Sequence, residues 1–272
     1  MAETPANDAA NNAARALLRW YVDAGVDEAV ADAPVNFFEA AEPARHAMRS
    51  NKSAITPAPV THIAASSTPS ADEAAASAQS AASAADSFEA LAAAVAAFDG
   101  CALKSGARNT VFADGAFGAP LLVIGEAPGR DEDRIGKPFV GRAGQLLDRM
   151  LAAIGYSRDE NVLISNVIYW RPPGNRTPTQ DEVAICRPFV ERLIELSSPK
   201  AIMLAGNAPM QALLGVTGIM RARGHWREIE LKSGQKIPAL PMFHPAFLLR
   251  QPGNKRLAWR DLKSLAGRLR KD

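Results

Sequence analysis

The sequence predicts an α/β fold, a three-layer α/β/α sandwich around a central, mainly parallel four-stranded sheet. Two observations support this prediction. From residue 120 onward, short apolar runs typical of buried strands alternate with longer segments of helical periodicity. The 272 residues are 47% hydrophobic with an ordinary charge content, which indicates a soluble globular protein with a sizeable core. No apolar run approaches the roughly 20 residues of a membrane span, and no signal peptide is apparent, so the cytoplasm is the expected compartment.

The elements follow one another in the order that a parallel sheet between helical layers requires. Asp86 to Glu89 supplies an N-cap and an acidic third residue that open an Ala-rich helix ending near Gly100. Strands are predicted at 120–124, 162–165, 201–204 and 237–242, with a further apolar segment near Ile229. Helices are predicted at 143–154, at 181–196, around Gln211 and over the C-terminal residues from 257 onward. In such sheets ligands lie at the carboxyl ends of the strands, which makes the residues after each strand the site candidates.

Composition divides the chain into three segments. Residues 1–42 are acidic and include a short helical pattern around Leu17 and Tyr21, which would dock on the rest of the protein or contact a partner protein. Residues 43–85 are rich in Ala, Ser and Pro with few large apolar side chains, and we predict a disordered linker there. Residues 86–272 form the predicted folded domain.

Charge and cysteine content narrow the functional classes. The net charge is +2, but residues 1–85 hold five basic and ten acidic side chains, so 86–272 holds 26 basic and 19 acidic ones. This excess suits a nucleic-acid partner. Cys101 and Cys186 are too few for a disulfide framework and are expected to be free thiols. One basic cluster would neutralise DNA phosphates, or it would simply be the solvated face of a helix. Its members are Arg250, Lys255, Arg256, Arg260 and Lys263.

Short motifs follow the predicted strands. The first is a glycine-rich turn with one carboxylate, and it lacks both the Lys-Ser/Thr ending of a Walker motif and the three-glycine spacing of a Rossmann fingerprint. An amide and an imidazole follow two later strands. In order, the motifs are Gly125-Glu126-Ala127-Pro128-Gly129, Pro138-Phe139-Val140-Gly141, Ser165-Asn166, Arg171-Pro172-Pro173 and Phe243-His244-Pro245-Ala246.

In this order and spacing the motifs resemble the uracil-DNA glycosylase superfamily, most closely its family-four branch, over about residues 101–270. The resemblance makes residues 86–272 a catalytic domain. It implies a monofunctional enzyme of base excision repair that flips deoxyuridine out of single- or double-stranded DNA and hydrolyses its N-glycosidic bond, leaving an abasic site. Nothing in the sequence demands an oligomer, so a monomer is expected. Residues 171–179 contain no histidine, so the covalent DNA trapping of one branch of the superfamily is not expected.

The resemblance also assigns the chemistry to individual residues. Glu126 would orient the attacking water and stabilise positive charge on the sugar. His244 would donate a hydrogen bond to uracil O2 and stabilise the departing anion. Asn166 would pair with uracil N3–H and O4, a pattern that cytosine does not match.

Further residues fall at pocket and DNA positions of the family. Phe139 would form the aromatic wall of the uracil pocket, the Ala127 backbone would line it, and Glu132 would help to exclude the thymine methyl group. A leucine would wedge into the vacated base stack. The expected DNA contacts are Arg176, Leu248, Leu249 and Arg250.

One departure from the family concerns its iron-sulfur cluster, which four cysteines normally hold. Cys101 and Cys186 occupy two of those positions, but Phe98 and Trp170 occupy the other two. Neither aromatic side chain can ligate iron, so we expect the cluster to be absent and no other metal or cofactor to be required.

Two alternatives remain open from the sequence. One is a glycosylase of shifted specificity that removes other deaminated bases, such as hypoxanthine or xanthine. The other is a non-catalytic DNA-binding module on the same fold. The latter would tolerate Glu126→Gln, whereas an enzyme would lose turnover.

Overall fold

The computed structural model describes Arg15 and residues 70–270. The chain separates into two compact units, residues 1–65 and 66–272, and nearly all described residues belong to the second. The helix predicted around Leu17 and the first part of the predicted linker, residues 43–69, lie outside the described residues.

The described strands form one six-stranded sheet in the order β1-β3-β2-β4-β6-β5. The four central strands are parallel, and they are the four that the sequence predicts. Short antiparallel strands are added at both edges, where β1 pairs with β3 and β5 pairs with β6. The strands are β1 (Ala113–Gly115), β2 (Leu121–Gly125), β3 (Val162–Asn166), β4 (Ala201–Ala205), β5 (Arg227–Glu230) and β6 (Lys236–Met242).

Helices cover both faces of the sheet, which confirms the predicted three-layer sandwich. Strand residues alternate between the two layers: Leu122 and Ile124 join one hydrophobic cluster, and Leu121 and Val123 join the other. The α-helices are α1 (Ala71–Ala84), α2 (Phe88–Ala97), α3 (Arg130–Ile135), α4 (Arg142–Ala152), α5 (Gln180–Ser197), α6 (Asn207–Leu214), α7 (Ile219–Ala222), α8 (Pro245–Arg250) and α9 (Lys255–Leu269). Short 3-10 helices span Ala102–Gly106, Pro173–Asn175 and Pro252–Asn254.

The two layers use different helices. Helices α4 and α9 pack on the face that carries Leu121, and α1, α2, α5 and α6 pack on the face that carries Leu122. Within residues 70–270 no helix is both long and apolar enough to span a membrane.

Helix α1 replaces the last part of the predicted linker. A reciprocal capping box between Ser70 and Glu73 starts this helix. Ala74, Ala78 and Ala82 repeat every four residues and are buried, so the helix lies against α5 through a stripe of small side chains. The prediction of disorder was wrong for residues 71–84 because alanine buries little area per residue and carries a weak core signal. The predicted start of α2 is also corrected by one residue, because its N-cap is Ser87 rather than Asp86.

The parallel strands bring their carboxyl ends to one edge of the sheet. Gly125, the last residue of β2, is in register with Asn166, the last residue of β3. On the other side of β2, Ala205 of β4 is in register with Met242 of β6. The loops that follow β2, β3 and β6 therefore meet, and each carries one of the sequence motifs.

Candidate active site

A cavity of about 460 Å³ opens at this edge of the sheet. The site residues predicted from sequence converge on it, although they come from loops more than 100 positions apart. The predicted residues that line it are Glu126, Ala127, Glu132, Phe139, Asn166, Arg176, His244 and Arg250.

Gly125 allows two of these side chains to meet. A Cβ atom at Gly125 would overlap both the Asn166 amide oxygen and the Phe139 ring. The last residue of β2 must therefore lack a side chain for the amide and the aromatic wall to occupy the same side of the cavity.

Glu126 follows directly and is held through its backbone, because its carbonyl oxygen accepts a 3.0 Å hydrogen bond from the Ile168 amide. Its carboxylate forms no hydrogen bond or ion pair with any residue among 70–270. Burial raises the pKa of this carboxyl group above its ordinary value. The side chain also lines a neighbouring cavity of about 420 Å³. The carboxylate thus lies at the junction of two openings with its oxygens unoccupied.

Asn166 is 2% exposed. Its carboxamide has no hydrogen-bond partner in the described part of the chain, although buried amides are normally paired. An unpaired amide next to a cavity is a ready donor and acceptor for a ligand.

His244 has a defined protonation state. Its Nδ1 atom accepts a 3.1 Å hydrogen bond from the Ala246 amide and caps α8, so the neutral ring carries its proton on Nε2. Burial, with a smaller effect from the charge of Arg250, lowers the pKa of His244 to about 4, against an opposing effect from Glu132. Near neutral pH the residue is therefore a neutral hydrogen-bond donor.

The Phe139 ring packs beside the His244 imidazole, with 5.5 Å between ring centroids and an angle of 29° between ring planes. Phe139 has a φ of +54°, in the left-handed region that non-glycine residues rarely adopt. Gly144 leaves room for this backbone, because a Cβ atom there would overlap the Phe139 carbonyl group.

Sequence reasoning missed Arg158, which braces Phe139. Its guanidinium donates to the carbonyl oxygens of Pro138 at 3.2 Å and Phe139 at 2.9 Å. It also pairs with Asp114 and Asp148, each at 2.8 Å. No motif contains Arg158, and only the fold brings its helix-to-strand loop to the Phe139 turn.

The carboxylate of Glu132 is a second brace. It accepts hydrogen bonds from the backbone amides of Gly129 at 3.1 Å, Val140 at 3.0 Å and Gly141 at 2.9 Å. These bonds join the Glu126 loop to the Phe139 loop. The spacing of the motif places Glu132 near the site but gives no indication of this backbone role.

The predicted DNA contacts divide into two groups. Arg176 and Arg250 line the cavity, and Arg176 is oriented by a bidentate pair with Glu182 at 2.6 and 2.9 Å. Leu249 is half-buried, whereas Leu248 is 1% exposed within the core beneath α8. Leu248 therefore does not reach DNA, because the helical turn of α8 points it inward, and Leu249 is the leucine at the surface.

The positions that correspond to cluster ligands do not fit an iron-sulfur cluster. Trp170 is fully buried and donates from Nε1 to the Thr110 hydroxyl at 3.0 Å. Phe98 packs edge-on against Phe189, with 5.2 Å between centroids. Two aromatic rings thus fill ligand positions, and a thiolate set of four cannot form. No group of three or more metal-binding side chains occurs among residues 70–270.

The two remaining thiols, Cys101 and Cys186, are free and fully buried. A hydrogen bond between them lowers the pKa of Cys101 and raises that of Cys186, and burial raises the pKa of Cys186 further. They form part of the packed core between α5 and the segment that follows α2.

Comparisons with known proteins agree with the geometry. Residues 112–263 match the family model described as the uracil DNA glycosylase superfamily. A type-4 uracil-DNA glycosylase of Archaeoglobus fulgidus is 41% identical over 157 residues, which is 56% of this chain and 78% of that protein. One from Thermotoga maritima is 34% identical over 174 residues, 63% of this chain and 89% of that protein. A type-5 enzyme of Pyrobaculum aerophilum is more distant, at 29% identity over 48% of this chain and 63% of that protein.

Proposed function

Because the chain belongs to the uracil DNA glycosylase superfamily, we propose that it is a monofunctional uracil-DNA glycosylase of the type-4 kind. It hydrolyses the N-glycosidic bond of flipped-out deoxyuridine in DNA and leaves an abasic site. One observation carries the assignment of its chemistry. A carboxylate, an amide and a neutral imidazole at the carboxyl ends of three strands face one cavity, and the first two have no partner in the described residues.

Glu126 acts on the sugar side of the scissile bond. That bond breaks with positive charge on the sugar ring, so an ionised carboxylate stabilises the transition state and orients the attacking water. Its unoccupied oxygens support this role, since both remain available for water. Its raised pKa keeps the carboxyl group a better proton acceptor than an exposed glutamate.

Asn166 selects the base. Its free carboxamide donates to uracil O4 and accepts from N3–H, while cytosine presents the opposite pattern. If cytosine entered the pocket, two buried polar groups would be left unpaired, and each would cost about 1–3 kcal/mol of binding free energy. The site would therefore reject cytosine.

His244 stabilises the leaving group. With Nδ1 engaged by Ala246, the Nε2–H donor is left for uracil O2, where negative charge accumulates as the bond breaks. A neutral donor suits this task because the leaving uracil anion requires hydrogen bonding rather than proton transfer.

The remaining pocket residues shape the site. Phe139 stacks on the flipped base, and the Ala127 backbone also lines the pocket. Glu132 is better explained as the brace between two loops than as direct protection against thymine, because its oxygens already accept three backbone hydrogen bonds. Leu249, Arg250 and Arg176 contact DNA around the flipped nucleotide.

We further propose that this chemistry proceeds without an iron-sulfur cluster. The buried rings of Phe98 and Trp170 support this, as they connect the same segments by apolar packing. No step assigned above uses a metal.

The test is release of uracil from a labelled oligonucleotide that contains one deoxyuridine, detected by alkaline cleavage of the abasic site. We expect Glu126→Gln to lose turnover while retaining DNA binding, and Asn166→Asp to gain cytosine release. Glu160→Gln, at an exposed glutamate remote from the cavity, is the matched control. Full turnover in Glu126→Gln would remove the proposed mechanism. Release of hypoxanthine but not uracil by the wild type would shift the assignment to other deaminated bases.

A further inference from the structure

One helix face outside the cavity has an unusual composition for a solvated surface. On α9, Trp259 is 43% exposed although tryptophan is normally mostly buried. Four exposed cations surround it along the same face: Lys255, Arg256, Arg260 and Lys263. We refer to these five residues as the Trp259 face.

The cations of the Trp259 face have no counter-charges in the described part of the chain. None of the four forms an ion pair or a hydrogen bond with residues 70–270. The acidic residue of α9, Asp261, is 2% exposed and turned inward, where it pairs with Arg223 at 2.8 Å. The outward face of the helix therefore combines one aromatic plane with unpaired positive charge.

The spacing of these residues makes the face continuous. Arg256, Arg260 and Lys263 are four and three positions apart and so lie side by side on the helix, next to Trp259. From Lys255 to Lys263 the helix advances about 12 Å, which is long enough for its cations to contact adjacent phosphates of a DNA strand.

The face also begins near the cavity. Helix α9 follows α8 after one short 3-10 turn, Pro252–Asn254, and α8 is capped by His244. Helix α9 packs on β4 and β6, and it comes after β6, whose carboxyl end bears the site. The first residues of α9 therefore lie toward that edge of the sheet. A DNA strand that leaves the cavity past Arg250 would reach Arg256 first.

We propose that the Trp259 face binds unpaired DNA that flanks the uracil, with one base stacked on Trp259 and the adjacent phosphates on Arg256, Arg260 and Lys263. This inference rests on the proposed function, which supplies DNA as the ligand. Stacking on an exposed indole needs a base free of its complement, so the face favours single-stranded over duplex substrate. Phosphate contacts alone would not discriminate between them.

The experiment measures binding of the full chain to uracil-free oligonucleotides, single-stranded and duplex, by fluorescence anisotropy at several salt concentrations. Trp259→Ala is expected to weaken single-strand binding about tenfold and duplex binding no more than about twofold, with Trp259→Phe restoring most of the loss. The Arg256→Gln, Arg260→Gln double variant should weaken both forms and reduce the salt slope by about 1.4 on single strands and about 1.8 on duplex, since two phosphate contacts are lost.

A charge-matched control is the Lys200→Gln, Arg227→Gln double variant, which removes two exposed cations elsewhere. It should bind like the wild type. Equal losses on both DNA forms in Trp259→Ala, or a control as weak as the Arg256, Arg260 variant, would overturn the proposal.

Uracil release separates this inference from the proposed function. A trinucleotide with central deoxyuridine extends only one nucleotide beyond the cavity on each side, so we expect the variants to process it like the wild type and to lose efficiency on longer single strands. If no protein, including wild type, released uracil, the proposed function would fail, while the binding data would still decide the role of the Trp259 face.

Discussion

The guanidinium of Arg158 donates a 2.9 Å hydrogen bond to the carbonyl oxygen of Phe139, a residue held at a φ of +54°. A left-handed backbone costs a non-glycine residue about 1–2 kcal/mol, and this one persists because surrounding groups fix it. Arg158 is itself oriented by Asp114 and Asp148. The Phe139 side chain that lines the cavity is therefore held in place by an ion-pair network whose members are not part of the cavity lining.

Arg158→Ala should remove this brace. We expect a loss of about 2–4 kcal/mol in unfolding free energy, since Asp148 and two carbonyl groups lose their donor and Asp114 keeps only Lys137. Uracil release should slow mainly through a higher KM, because the Phe139 ring no longer holds its stacking position. Denaturant melts and steady-state kinetics measure the two effects.

Arg149→Ala, at an exposed arginine on α4, is the matched control and should change neither quantity. Arg158→Lys keeps the charge but cannot donate to both carbonyl groups at once, so its KM should lie between those of Arg158→Ala and wild type. A variant that lost stability without any rise in KM would show that Arg158 has only a structural role.

Gly125→Ala should abolish efficient catalysis and cost about 1–3 kcal/mol of stability through overpacking of a buried site. The added methyl group would overlap the Asn166 amide oxygen and the Phe139 ring, so one of the two must leave its position. A misplaced recognition group typically costs about 10²-fold in rate. Gly106→Ala, where a Cβ atom meets open space, is the control for the glycine-to-alanine change. Wild-type activity in Gly125→Ala would contradict the assigned positions of both side chains.

The pH dependence of stability should reveal the half-buried His244. Its pKa falls from an ordinary 6.5 to about 4 in the folded protein, so the unfolded chain binds a proton first as pH decreases. This contribution is fully present above about pH 6.5 and is lost as pH falls toward 4, by about 3 kcal/mol in total. The His244→Gln variant should show a flatter profile over this range in denaturant titrations. An identical slope in both proteins would exclude a depressed pKa.

The sequence predicts the strands and the site loops well because both rest on local patterns. Buried strands such as Leu121–Gly125 are unbroken apolar runs, and strand ends in a parallel sheet share one edge. The strand ends and the family resemblance together thus predicted one site for Glu126, Asn166 and His244, which line one cavity in the structure.

What escaped prediction depends on contacts distant in sequence or on weak local signals. Arg158 acts on a turn 19 positions earlier, and no periodicity indicates that contact. Helix α1 is buried through alanines, which composition alone cannot distinguish from a linker. Leu248 and Leu249 are neighbours with the same side chain, and only the phase of α8 decides which one reaches the surface.

Phe98 and Trp170 lie at the positions that correspond to cluster ligands. Protein purified without oxygen should be colourless and contain no stoichiometric iron or sulfide, because Phe98 and Trp170 supply packing where the family supplies thiolates.

Trp170→Cys alone should cost about 3–5 kcal/mol of stability through the cavity it creates. The Phe98→Cys, Trp170→Cys double variant offers four thiolates and removes both rings, so reconstitution with iron and sulfide should load it and recover part of that stability. Each single variant, with three thiolates, is the control. Stoichiometric iron in the wild type would overturn the packing explanation, since Cys101 and Cys186 would then need ligands from outside the described residues.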